Sequence, residues 1–220
     1  MRFNGPNECM GLGMSKMHEA IRPASTVVLW RNGADGLELL MGQRGSSAIF
    51  MPSKHVFPGG AVDPVDHTAP LDSDLGADCA HRLSAFCSAG APPPSALVAA
   101  ALRELGEETG LETRPSPKTE PHLQFIFRAI TPPGRSRRFD ARFFLMGAAA
   151  VAGPSEDFAR ASGELTHLHW IGIKDARSLD LPFITEVVIA EVNALLNGRS
   201  QPGVPFFDNR SDVPMFRRII

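Results

Sequence analysis

Glu104, Glu107 and Glu108 lie three and four residues apart in the segment LRELGEETG, with Arg103 immediately before them. In a helix, residues at this spacing share a face, so the segment would gather its carboxylates across one turn. Clustered carboxylates repel one another in water unless a hard cation lies between them. Mg²⁺ takes oxygen ligands, keeps several waters and is commonly shared with substrate phosphates. It neutralises charge developing on phosphorus and activates water. Glu104, Glu107 and Glu108 are therefore candidate metal ligands, and one of them could instead act as the general base. Arg103 precedes Glu107 by one helical turn and can pair with it. A solvated acidic face would also account for the carboxylates alone. Gly106 weighs against that reading, because glycine inside a helix costs roughly 1 kcal/mol relative to alanine. Close approach of a substrate or a loop would explain it.

These residues need a scaffold. Residues 95–109 read as a helix, with Ser95 as N-cap, Gly110 as the left-handed terminator, and Leu97, Ala101, Leu105 and Leu102 on the packed side. Residues 24–30 and 37–42 read as paired strands, as do 123–131 and 139–147; 164–171 alternates like a further strand. Residues 183–196 carry a helical apolar stripe, with Thr185 as its expected cap. Residues 63–94 are irregular, with a helical pattern near 77–88, and the last twenty residues show no assignable pattern. The element order predicts an α/β protein with a mixed sheet covered by helices on both faces. The expected organisation is a flexible leader over 1–20 and one domain over 21–220, ending in a tail over about 198–220.

Arg103-Glu104-Leu105-Gly106-Glu107-Glu108-Thr109-Gly110-Leu111 matches the second half of the Nudix box, and Phe57-Pro58-Gly59-Gly60 resembles its opening. The chain thus resembles the Nudix hydrolases. The resemblance implies an α/β/α Nudix sandwich with a mixed β-sheet, a Mg²⁺ or Mn²⁺ requirement, and attack of water on a diphosphate. Two departures stand out. The stretch from Gly60 to Arg103 is much longer than the family's, so 63–94 reads as a partly helical insertion overhanging the cleft. Position 95 holds serine where the family has a supporting glutamate; Asp63 or Asp66 could replace it in space. The long insertion, the FPGG-A-V-D run and RRFDARFF resemble the coenzyme A and acyl-coenzyme A diphosphatase-like branch. That branch divides its substrate into 3′,5′-ADP and phosphopantetheine or its acyl form.

Further site residues follow from the same chemistry. The Gly59–Gly60 turn would let backbone approach phosphates. Arg44, Arg138 and Arg142 are candidate phosphate partners, with Arg135 and Arg137 nearby. Arg138, Asp140 and Arg142 alternate, so they would share a strand face, leaving Phe139 and Phe143 for the core; an internal Arg–Asp pair is the alternative. Glu164 occupies a place where several Nudix enzymes carry an acidic residue near the metals, so Glu107 and Glu164 both stand open as the base, with Glu156 and Asp157 as rivals. His55, His167 and His169 read as ordinary histidines. Phe50 and Met51 are core residues or the lining of an acyl or pantetheine path.

A net charge of −2 excludes the strongly basic footprint of a nucleic-acid binder. Cys9, Cys79 and Cys87 form neither a zinc-ligand spacing nor a disulfide framework, and no apolar run reaches the length of a membrane span. The expectation is a cytoplasmic enzyme acting on a small nucleotide-diphosphate compound, without nucleic-acid or membrane partners, with a homodimer left open. ADP-ribose or a nucleotide sugar is the rival substrate. A Nudix fold serving as a non-catalytic ligand sensor is the rival class, and the full glutamate set weighs against it.

Overall fold

Val27, Val28 and Leu29 are consecutive and all fully buried, which requires a strand covered on both faces. A computed structural model describes residues 20–71, 75–115 and 122–220, and this strand, β1 (Ile21–Gly33), runs through the middle of its sheet. It turns tightly into β2 (Gly36–Arg44), with Gly33 opposite Gly36. The short strands β3 (His55–Val56) and β4 (Gly59–Ala61) follow; β3 pairs with β2, and β4 pairs with the first half of β1. Helix α1 (Ala77–Ser84) and helix α2 (Pro94–Thr109) come next. Strand β5 (Glu112–Thr113) precedes β6 (Gln124–Ile130) and β7 (Arg138–Gly147), and β8 (Val151–Ala152) pairs with β5. Strand β9 (Leu165–Gly172) pairs with β2, and α3 (Phe183–Leu196) and the hairpin β10 (Val204–Asp208) and β11 (Met215–Ile219) close the chain.

The main sheet runs β11-β10-β6-β7-β1-β2-β3. It is mixed: β1 and β7 are parallel, as are β10 and β6, and the other pairs are antiparallel. Alternation along β1 splits the core. Val27 and Leu29 join Leu97, Ala101 and Leu105 of α2 on one face. Val28 joins Val188, Ile189 and Val192 of α3 on the other. The α/β/α sandwich is thus present, with α2 held against β1 and β4.

Several local expectations need correction. Helix α2 starts at Pro94, with Pro93 rather than Ser95 at the cap. Proline at the first helical position has no N–H to satisfy and a preset φ, so no side-chain cap is required. Thr185 does not cap α3 either; Pro182 does, and Thr185 is buried inside the first turn. Residues 204–219 are no tail. They add a hairpin to the sheet edge and bury Val204, Phe206 and Ile219 completely. In the described part of segment 63–94, Leu75 and Leu83 belong to the α2-side core, and α1 packs on α2 and β6. Arg128 Nη1 donates to Ala85 O at 2.8 Å, and Arg210 Nη1 to Phe86 O at 3.1 Å. The expected leader over 1–20 lies outside the described residues except for Ala20.

Candidate active site

Helix α2 ends as its sequence demands. Gly110 adopts the left-handed conformation, with φ 75°, and its N–H returns to Gly106 O at 2.8 Å. The turn just before this end carries the charged residues. Arg103 Nη1 donates to Glu104 Oε1 at 2.9 Å and to Glu107 Oε2 at 3.0 Å. Its Nε and Nη2 form a fork onto Asp66, at 2.9 and 3.0 Å, and Nη2 also donates to Ala61 O at 3.0 Å. Arg103 therefore ties α2 to the end of β4 and to the turn after it. Glu108 lies deeper, and its Oε2 accepts the Gly59 N–H at 2.8 Å.

The surroundings perturb these groups in opposite directions. Burial raises the Glu104 pKa, and the charges of Glu107 and Glu164 add to that, against the pull of Arg103. Burial pushes Glu108 up to about 8, with a further rise from the charges of Glu104 and Glu164 and a counter-pull from Gly59 N–H and Arg44. Asp66 behaves differently. Burial favours its neutral form, but the Arg103 bonds and the Asp63 N–H outweigh it and hold the carboxyl below the ordinary range. Bonding to Asp66 is in turn the largest influence on Arg103, whose pKa is raised.

The FPGG glycines have a packing reason of their own. A Cβ on Gly60 would lie 2.3 Å from Glu104 Oε1, and one on Gly59 would meet Ser25 O at 2.5 Å. The Glu104 carboxylate fills the space that a side chain at 60 would need. Two more predicted residues face the same charges. Arg44 acts electrostatically on Glu108, its Nε is buried without a hydrogen-bond partner, and no ion pair engages it among the described residues. Glu164 is exposed and acts on both Glu104 and Glu108. The loop carrying Glu164 is docked on the helix end, since Ser162 N donates to Glu107 O at 2.8 Å and Arg160 Nη2 to Gly110 O at 3.1 Å.

Arg138 and Arg142 are not brought to this group. Both are buried. Arg138 donates to Thr131 O and Asn209 O, so it fastens the C-terminal hairpin. Arg142 pairs with Asp140 at 3.0 Å and donates to Cys87 Sγ. They do share a face with Asp140, as their alternation predicts, but Arg128 completes an internal ion-pair network there. Phe143 is buried in the core, whereas Phe139 is only half-buried and meets Phe50 edge-to-face. Of the rival bases, Glu156 is held by Arg31 and Asp157 accepts the Ala159 N–H. His55 and His169 meet edge-to-face.

No loop crowds Gly106 among the described residues. A Cβ there would meet only Leu111 O, at 3.6 Å, an ordinary contact. Gly106→Ala is expected to stabilise the fold by roughly 0.5–1 kcal/mol, measured by urea denaturation. A destabilised variant would mean that the helix needs glycine here.

A family model for the NUDIX domain matches residues 20–192. The chain belongs to the Nudix family. It is a Nudix hydrolase, an enzyme class that acts on phosphoanhydride bonds and generally requires a divalent metal, commonly Mg²⁺ or Mn²⁺. Solved Nudix structures share the fold at low identity. A NUDIX hydrolase from Alicyclobacillus acidocaldarius is 24% identical with a TM-score of 0.54, covering 78% of this chain and 90% of its own. The NUDIX domain of Shewanella oneidensis NrtR, solved with ADP ribose, is 15% identical with a TM-score of 0.53, covering 83% and 92%. A C. elegans Ap4A hydrolase is 16% identical with a TM-score of 0.50, covering 81% and 99%. No curated protein matches the chain. Among the described residues no helix is long and apolar enough to cross a membrane.

The Nudix carboxylates suit a hard cation. All their donors are oxygens, and burial disfavours charge on Glu104 and Glu108 that a cation would compensate. Among the described residues no three His, Cys, Asp or Glu side chains already converge on one point. Glu107 instead faces Arg103, and Glu108 faces Gly59. A cavity of about 760 Å³ lies on the α3 side of the sheet, lined by Phe50, Met51, Lys54, Arg135 and Phe143 among others. It contains none of the carboxylates; its lining residue Lys54 is tied to β2 by its O, which accepts the Arg44 N–H at 3.0 Å.

Proposed function

We propose that this enzyme hydrolyses the diphosphate of coenzyme A or acyl-coenzyme A, releasing 3′,5′-ADP and phosphopantetheine or its acyl form. The observation that carries this reading is the join between two unlike environments. At one end of the loop from Arg44 to Lys54 is a guanidinium whose buried Nε has no hydrogen-bond partner among the described residues and whose charge acts on Glu108. On the same loop, Phe50 and Met51 line the mostly apolar cavity. A ligand with a diphosphate at one end and a long, weakly polar arm at the other fits that sequence of surfaces.

In this reading Glu104, Glu107 and Glu108 would hold Mg²⁺ or Mn²⁺, which would offset charge on the diphosphate and lower the pKa of water. Arg103 keeps Glu104 and Glu107 in place. Arg44 neutralises a phosphate oxygen through charge-assisted bonds. Water oxygen bonds to one phosphorus while the bridging P–O bond breaks, and one phosphate leaves with the electron pair. Glu164 takes the water proton, with Glu107 as the alternative acceptor. The Gly59–Gly60 turn, lacking side chains, lets Glu104 sit against it and gives its Gly59 N–H to Glu108.

The test is product analysis with Mg²⁺ or Mn²⁺ over coenzyme A, acyl-coenzyme A and ADP-ribose, comparing wild type with Glu107→Gln. The expected result is 3′,5′-ADP from the coenzyme A species, with the product lost in the variant. Phe50→Ala should raise KM for a long acyl-coenzyme A more than for coenzyme A. Cleavage of ADP-ribose alone would overturn the substrate assignment and leave the reaction type intact. Binding without turnover would favour a sensor.

A further inference from the structure

The charges lining the α3-side cavity are all of one sign. Its walls are mostly apolar, with Phe50, Phe143, Leu181 and Phe207 among them. Its charged residues are Lys54 and Arg135, and no carboxylate lines it among the described residues. The two cations stand apart along the loop from Arg44 to Lys54. Lys54 is at the stem, where its O accepts the Arg44 N–H. Arg135, in the connection between β6 and β7, is beside the middle of that loop, since the adjacent Ser136 Oγ donates to Ile49 O at 3.4 Å. They also differ in partners. Lys54 pairs with Asp180, which is not part of the lining. Arg135 is exposed, and no hydrogen bond or ion pair engages its side chain among the described residues.

The ligand complementary to such a cavity is an apolar chain that ends in an anion. Its chain covers the phenylalanines, and a guanidinium grips a terminal carboxylate through two parallel bonds. We infer that Arg135 is a specificity residue for the acyl arm, selecting acyl groups that carry a free carboxylate at their far end: the coenzyme A thioesters of dicarboxylic acids. The inference rests on the coenzyme A reading and on its placement of the arm in this cavity. Lys54 has no such part, because Asp180 already neutralises it. Exposure sets the size of the effect. A solvated charged pair contributes less than a buried one, so the contact ranks acyl groups against one another and does not decide whether any is cut.

Steady-state kinetics with two chains of equal length tests this: hexanoyl-coenzyme A, which ends in a methyl group, and adipoyl-coenzyme A, which ends in a carboxylate. Wild type should favour the adipoyl thioester in kcat/KM by about tenfold, the effect of one charge-assisted contact, chiefly through a lower KM. Arg135→Gln should bring the ratio close to one, and Arg135→Lys should keep part of it. Added salt should erode the wild-type preference, as it screens a solvated pair. The variants should fold, because Arg135 is exposed and bonds no described neighbour. Equal kcat/KM for the two thioesters in wild type, or a ratio unmoved by Arg135→Gln, would overturn the inference and leave the coenzyme A reading standing. The 3′-phosphate is the other anion such a substrate carries, and dephospho-coenzyme A lacks it. An Arg135→Gln loss seen with coenzyme A but not with dephospho-coenzyme A would assign Arg135 to the nucleotide end and overturn the inference too. A wild type that cuts neither thioester would overturn the coenzyme A reading and this inference with it.

Discussion

Glu104→Gln should lower kcat by on the order of 10³-fold at saturating Mg²⁺, with the fold intact. Gln keeps the volume and can still accept a bond from Arg103, so packing against Gly60 survives. What disappears is the negative charge, on a residue whose charged form burial already disfavours. Thermal stability without metal should therefore hold or rise while activity collapses, the usual exchange at a functional site. Gly60→Ala should reproduce part of the loss without touching a charge. Its Cβ would lie 2.3 Å from Glu104 Oε1 and force the carboxylate aside. Steady-state kinetics beside a melting curve decide the matter. A Glu104→Gln enzyme within about tenfold of wild-type kcat would remove Glu104 from the metal-ligand set.

The parts of this site that could be read from sequence are those that depend on local geometry. Glu104, Glu107 and Glu108 share a turn because helical spacing puts them there, and Gly110 ends the helix because only a left-handed residue fits. Helix α3 matches its predicted bounds at both ends because its apolar stripe is continuous. The contacts that escaped are long-range ones. Asp66 meets Arg103 across segment 63–94, and only the fold chooses it over Asp63. Alternation put Arg138, Asp140 and Arg142 on one face. It could not say that Arg128, the lone charge inside the FIFRAI run, waits there to make the face internal. The C-terminal hairpin was hidden because Asn209–Pro214 interrupts two short strands, and β10 meets β6 only at Phe206 and Phe207.

The metal-free enzyme should lose stability as pH rises through the neutral range, and Mg²⁺ should restore it. Glu108 has an ordinary pKa of 4.5 and reaches about 8 in the folded protein, chiefly through burial. For an acid whose folded pKa is raised, the charged form is the one the fold disfavours. Below the unfolded value both states hold the proton, and the group has no effect. Between the two values the unfolded chain has released its proton and the folded chain has not, so unfolding gains roughly 1.4 kcal/mol per pH unit. Above the folded value the penalty is constant, at a few kcal/mol. Glu104 is shifted in the same direction and adds to it. A bound cation takes the proton's place. Metal uptake should therefore release protons, and affinity should tighten by up to about tenfold per pH unit until Glu108 is ionised. Calorimetric melting between about pH 5 and 9, in EDTA and in Mg²⁺, should show the EDTA curve falling and the Mg²⁺ curve staying flatter. Glu108→Gln should flatten the EDTA curve and weaken its response to Mg²⁺. Parallel curves for wild type and variant in EDTA would show that Glu108 is an ordinary carboxylate, and the metal would then have no buried charge there to satisfy.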